Sequence, residues 1–432
     1  MRAWAWNREH RVATRRMPLP LPLPALVACL AVALMMISPA SAGALLLVLA
    51  LWGIVATLQG PPATADEREW AWLSLVIPGA YLLNMAVNGW AMHLLDRPMH
   101  LAYGVLLALL LSRAGLPMRP FALAAIVAAL AAGTIALYEG MILGQPRVFG
   151  LGGRWNAVPF GNFSLLVGSV ALAGALACRD RARRPGRWLA AGVLAFAAGT
   201  YASMMSGSRG GWLALPVLVL IASHASRGIQ RRHRMMIVGG LLVAALAAFS
   251  ASDSVRQRLA SAIGNVAAFV DAPSELDNMD NASGIRLAMW RWGIGRFAER
   301  PWTGIGYANF SEQRAAAVAR GEMPAHFDDL ANLHNEIISS LAFGGLPSAA
   351  ALLAFWALGL RFFLRRLYAS EEAAPRFFAT AGLLALLGTA LFSMTEGLFG
   401  TRAGTYGLTL MLALPAGALC HLARTEAPEA RS

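Results

Sequence analysis

Lysine is absent from this chain of 432 residues, and all 36 basic residues are arginine. That choice reflects genome composition; the information lies in where the arginines fall. Charge is also scarce, at 14% of residues against 57% hydrophobic, with a mean hydropathy of +0.55. Such a composition excludes a solvated globule and describes a chain whose solvent is mostly lipid. Only three cysteines occur, Cys29, Cys178 and Cys420, in or at the inner ends of apolar runs, so no disulfide is expected. No internal repeat, low-complexity segment or nucleic-acid module stands out. The net charge of +13 is therefore an orientation signal and not a nucleic-acid footprint.

Apolar runs long enough to cross a bilayer occur near 20–37, 42–58, 71–90, 99–116, 120–142, 161–178, 187–206, 210–226, 235–251, 334–364, 376–399 and 402–423. The expected fold is an all-α polytopic membrane protein of about twelve transmembrane helices. It divides into spans one to nine over 1–251, a large polar segment over 252–333 and the last three spans over 334–432. The run at 334–364 is too long for one straight span and holds Gly344-Gly345-Leu346-Pro347, which predicts a broken helix. At the N-terminus, arginines, an apolar run and Ala40-Ser41-Ala42 resemble a cleavable signal peptide. The second apolar run follows at once, which favours an uncleaved hairpin.

Arginines cluster before the first span, at 179–187, at 227–234 and at 361–376. With twelve spans these fall on one side, which the positive-inside rule makes cytoplasmic, and both termini with it. Asp66, Glu67 and Glu69 are the exception on that side. The 252–333 segment then faces the periplasm, and its eight arginines and ten carboxylates nearly cancel. Within it, Val255, Leu259, Ile263, Val266 and Val270 predict an amphipathic helix lying on the membrane surface. A second helix is expected over 284–300, with Arg286, Trp290, Gly293 and Phe297 on one face, and a third over about 308–321.

The polar segment ends in Asn332-Leu333-His334-Asn335-Glu336, at the lip of the next span. An ionisable residue at the mouth of a span is costly and marks a functional candidate. An imidazole there can accept a proton from a sugar hydroxyl, although a helix-start histidine bonded to a headgroup or to backbone fits equally. Ser206-Gly207-Ser208-Arg209-Gly210-Gly211 joins two spans by a very short turn, which pins Arg209 at membrane level beside small residues. A guanidinium fork with accessible backbone N–H groups suits a phosphate; an interfacial arginine reaching lipid headgroups is the plainer reading. Arg286 is a second candidate. The loop at 144–162 offers Arg147 and Arg154 for a further phosphate or a sugar. Trp155, Trp290 and Trp302 can stack on sugar rings or anchor at the interface. Glu275-Leu276-Asp277 looks like an acidic metal pair but fits a solvated turn better.

In their order along the chain these pieces resemble the O-antigen ligase family of bacterial envelope glycosyltransferases. The resemblance implies a GT-C-like membrane enzyme of the bacterial inner membrane with its active site on the periplasmic face. Such an enzyme moves polysaccharide from undecaprenyl diphosphate to the lipid A core oligosaccharide, with no cofactor or metal. By the same resemblance Arg209 and Arg286 match the diphosphate-binding arginines and His334 the essential histidine. Arg147, Arg154 and Asn335 are further possible substrate contacts.

O-antigen polymerases and ligases that glycosylate proteins share these features. The short tail after the last span favours a lipid acceptor, and the single, nearly neutral large loop speaks against a polymerase, since polymerases tend to carry two sizeable basic periplasmic loops. A secondary transporter should show two similar halves with broken segments in matching places, and no such symmetry is present.

Overall fold

The computed structural model describes residues 21–180, 182–236, 239–240, 253–273, 275–279, 281, 283–330, 332–397, 399 and 401–429. Among them there is no strand. Before the polar segment the described residues include α1 (Leu23–Leu34), α2 (Pro39–Gln59), α3 (Ala65–Asn88), α4 (Asp96–Ala114), α5 (Met118–Leu137), α6 (Ala157–Arg179), α7 (Pro185–Met205) and α8 (Arg209–Ala222). The segment itself carries α9 (Asp253–Asp271), α10 (Gly284–Glu299) and α11 (Phe310–Ala319). The chain closes with α12 (Glu336–Ala369), α13 (Ala373–Phe392) and α14 (Arg402–Glu429).

Among the described residues, 8 helices are long and apolar enough to cross a membrane: α2, α3, α5 with its π-helical extension Tyr138–Ile142, α6, α7, α12, α13 and α14. α1 and the stretch Gly210–Ala225 are apolar but shorter. Every expected span but one coincides with a helix; the run at 235–251 lies largely outside the described residues. The protein is thus an all-helical, multi-pass membrane protein. α6 is buried along nearly its whole length and forms the centre of the bundle. Leu51, Leu58, Leu83, Leu194 and Leu213 instead turn outward, as lipid-facing residues must.

The acidic exception between α2 and α3 has a local cause. Thr64 and Glu67 form a capping box that starts α3. Asp66 then pairs with Arg365 at 2.9 Å and Arg366 at 2.8 Å, Glu69 with Arg365 at 2.9 Å, and Glu67 with Arg424 at 2.8 Å. These carboxylates tie the start of α3 to the ends of α12 and α14.

α12 is broken as its glycines predict, since Gly345 has φ 64° in the left-handed region. A Cβ there would meet the backbone of Pro301 and Trp302 within 2.7 Å, so only glycine fits. The polar segment threads into the break: Ile305 and Gly306 donate their N–H groups to the carbonyls of Ala342 and Phe343, and Leu346 donates to Pro301. Asn84 of α3 donates to the Thr303 carbonyl and accepts from the Tyr307 N–H.

The polar segment has a core of its own, built from Phe269, Met279, Met289, Trp292, Phe310, Phe327 and Phe343. Trp292 packs edge-on to Phe327 at 5.5 Å and to Phe310 at 6.1 Å. Full burial of one such side chain is worth about 1.5–3 kcal/mol. Along α9, Ile263, Val266 and Val270 are exposed at helical spacing, which leaves an uncovered apolar stripe.

Candidate active site

The segment before α12 is held by caps rather than by regular structure. Asn335 ends it as the N-cap of α12, where its side-chain oxygen accepts from the N–H groups of Ile337 and Ile338, both at 3.1 Å. Its amide nitrogen donates to the Met394 carbonyl at 3.1 Å, and the Glu336 N–H donates to the Ser393 carbonyl at 2.9 Å. The loop at 332–336 is thereby clamped to the turn that follows α13. Gly397 in that turn lies so close to the Asn332 side chain that a Cβ would come within 2.6 Å of it.

His334 sits between these clamps with φ 49°, a left-handed conformation that non-glycine residues seldom adopt. The Asn332 side chain helps hold it there by accepting the His334 N–H at 2.8 Å. The His334 Nδ1 faces Glu396 Oε2 at 3.2 Å, and the carboxylate side chain is only 10% exposed. An imidazole whose Nδ1–H donates a hydrogen bond to a carboxylate presents Nε2 as its open, proton-accepting nitrogen. Strain of this kind, maintained by surrounding contacts, is a frequent mark of functional sites.

The Arg209 turn reaches the same place from the other side. Arg209 is the first residue of α8, and Gly210 packs against Thr395, the neighbour of Glu396. Ser206 and Ser208 are buried against the start of α6, where the Ser208 hydroxyl donates to the Val158 carbonyl at 3.0 Å. The turn's N–H groups are largely spoken for: Gly207 donates to Met204, Ser208 to the Ser206 hydroxyl and Gly211 to Ser208. Three of the turn's amides are thus engaged within the turn itself.

Arg147 joins the same turn, with Nε donating to the Ser206 carbonyl at 2.8 Å. What places it is Glu139, a buried carboxylate in the π-helical extension of α5. It accepts from the N–H groups of Phe149 at 2.8 Å, Gly152 at 2.9 Å and Gly150 at 3.1 Å. Arg154 turns elsewhere, toward the Ile37 carbonyl beyond α1.

Arg286 lies on α10, half-buried and within a set of interactions of its own. One turn further on, Trp290 Nε1 donates to the Leu333 carbonyl at 3.0 Å. Arg286 and Trp290 lie four residues apart on one face of the helix, about 6 Å along its axis.

Two expectations change on this geometry. Asn335 is a cap with both ends of its amide engaged, so it positions His334 and does not face a substrate. Trp155 is buried against Phe163 at 5.6 Å and cannot be a sugar platform. Trp302 does remain exposed. Glu396 and Glu139 were missed. Glu396 carried a signal, because an acid at the end of an apolar run is as costly as the histidine it meets.

An all-helical bundle with membrane-length apolar helices and a histidine–carboxylate pair at the ends of its helices defines a multi-pass membrane protein with a buried polar site. Residues 192–353 match the sequence model of the O-antigen ligase family, which includes Arg209, Arg286 and His334 and agrees with the resemblance drawn from the motifs. A Haemophilus influenzae protein described as uncharacterized is 22% identical over 289 residues, which is 66% of this chain and 70% of its own length.

Proposed function

We propose that this protein is an O-antigen ligase of the bacterial inner membrane, with about twelve spans in a GT-C-like arrangement, both termini cytoplasmic and the 252–333 segment periplasmic. It transfers polysaccharide from undecaprenyl diphosphate to a hydroxyl of the lipid A core oligosaccharide. The observation that carries the reading is the His334–Glu396 pair, locked beside the turn that bears Arg209. His334 takes the proton from the acceptor hydroxyl as that oxygen attacks the anomeric carbon. The bond from that carbon to the diphosphate oxygen breaks in the same displacement, with inversion. Arg209 and Arg286 stabilise the charge that develops on the leaving undecaprenyl diphosphate, and Arg147 reinforces the Arg209 end. Arginines do this without a metal, because guanidinium is always charged and donates in parallel pairs.

The test is a gene deletion read on lipopolysaccharide gels, followed by transfer in reconstituted membranes. Loss of long chains with donor accumulating on undecaprenyl diphosphate supports the ligase. A product carrying a single repeat identifies a polymerase, and loss of glycan from a protein with lipopolysaccharide intact identifies a protein-glycosylating enzyme. His334→Ala should slow transfer roughly 10²- to 10⁴-fold with donor binding retained. Collapse of transfer in EDTA with rescue by a divalent ion would remove the metal-free mechanism.

A further inference from the structure

Beside His334 lies a cavity that the transfer chemistry above does not use. It opens between the end of α3, the start of α4 and the first turn of α12, and has a volume of about 100 Å³. A single water needs only ~10–15 Å³ by the same measure, so the space holds a group larger than one water. One wall is aromatic, with Tyr81 and Tyr307 stacked at 3.9 Å between ring centroids. The rim is polar: Asn332, which holds the His334 N–H, Glu336 and Arg97, whose Nη1 donates to the Phe399 carbonyl at 3.3 Å. Burial pushes the Tyr307 phenol up to about 12, so it stays a neutral hydroxyl.

The floor holds a polar side chain whose bonding is incomplete. Ser339 is 4% exposed and lines the cavity, and among the described residues its hydroxyl has no hydrogen-bond partner. A buried hydroxyl left unpaired is costly, and a ligand hydroxyl would satisfy it. An aromatic face with carboxylate, amide, guanidinium and hydroxyl groups around it is the chemistry that recognises an uncharged sugar ring, whose C–H face is apolar and whose edge is all hydroxyl.

We propose that this cavity seats one pyranose ring next to the reacting bond, with Tyr81 and Tyr307 as its platform and Ser339 and Glu336 reading its hydroxyls. The assignment rests on the glycosyltransferase reading above. The ring belongs either to the first sugar of the lipid-linked donor or to the accepting sugar, and the two sources separate by titration.

Ser339→Ala and Ser339→Leu test it, with each substrate varied in turn at saturating levels of the other. Ser339→Ala loses one sugar hydrogen bond and should raise the KM of one substrate roughly 3- to 10-fold, with a melting temperature equal to or above that of the parent. The substrate whose KM rises identifies the ring. Ser339→Leu fills the cavity and should raise the same KM further. KM values within twofold for both substrates in both variants would overturn the sugar site and leave the ligase reading intact.

If the parent protein transfers nothing, the ligase reading fails, and the cavity is tested by itself with methyl glycosides of the common hexoses at millimolar concentration. Thermal stabilisation of the parent that Ser339→Leu abolishes would uphold the site. No stabilisation by any of them would overturn it.

Discussion

Replacing Glu396 by glutamine removes a charge and little else. Glutamine has the same shape, and its carbonyl oxygen can still accept from the Gly397 N–H, which now meets Glu396 Oε1 at 3.3 Å. What changes is the electrostatics at His334. When the histidine takes a proton it becomes a cation about 4 Å from the centre of the carboxylate charge, given the 3.2 Å contact of Nδ1 with Oε2. At an effective dielectric of ~20 that attraction is about 4 kcal/mol. The His334 side chain is 23% exposed, so solvent screening lowers the figure to about 1–3 kcal/mol. Transfer should therefore fall roughly 10- to 100-fold, since each 1.36 kcal/mol is tenfold in rate. The glutamine NH2 can also donate to Nδ1 and favour the wrong tautomer, which pushes the loss toward the upper end. The assay is transfer of labelled polysaccharide in proteoliposomes, with donor binding measured on the same samples. A double mutant sharpens it: in a His334→Ala background, Glu396→Gln should cost almost nothing more, because the two residues act as a unit. A full additional loss in that background, or wild-type transfer in the single mutant, would refute the coupling.

Arg209→Lys and Arg286→Lys should each weaken donor binding about tenfold or more, because a point charge loses the bidentate fork; full activity in both alanine variants would remove the arginines from the site. Glu139→Gln should lower stability by about 1–3 kcal/mol, read as a lower melting temperature in detergent, because three backbone N–H groups lose a charged acceptor. An unchanged melting temperature would contradict that. For topology, an impermeant maleimide should label Ser311→Cys in intact spheroplasts and Thr425→Cys only after permeabilisation. The three native cysteines are buried and should give little background, and labelling of Ser311→Cys only after permeabilisation would sink the periplasmic active site.

Features that depend on neighbours in the chain were legible in the sequence. Apolar runs marked the helices, Gly344-Gly345-Leu346-Pro347 marked the break in α12, and the polar lip marked His334. Features that depend on which loop meets which were not. Glu396 lies 62 residues from His334, and within the run at 376–399 it read as part of a span. Asn335 read as a possible substrate contact. Its position one residue before a helix is equally the signature of a cap, and the cap is what the geometry supports. Glu139 carried the same signal as Glu396, an acid near the end of the run at 120–142, but its partners are backbone amides of a glycine-rich loop and could not be read from the sequence.

The splice at Gly345 bears on whether the polar segment is a detachable module. Breaking α12 frees carbonyls that water cannot reach, and Ala342 and Phe343 are served instead by the N–H groups of Ile305 and Gly306, while Leu346 is served by Pro301. Excising the segment would leave these groups unpaired, at roughly 1–3 kcal/mol each, and would unseat the helix start that carries Asn335. A domain with its own aromatic core would ordinarily be a good subject for isolation or for exchange between relatives. Here the seam makes it a structural part of the membrane bundle, so chimeras should keep residues 301–306 and 336–346 from the same parent.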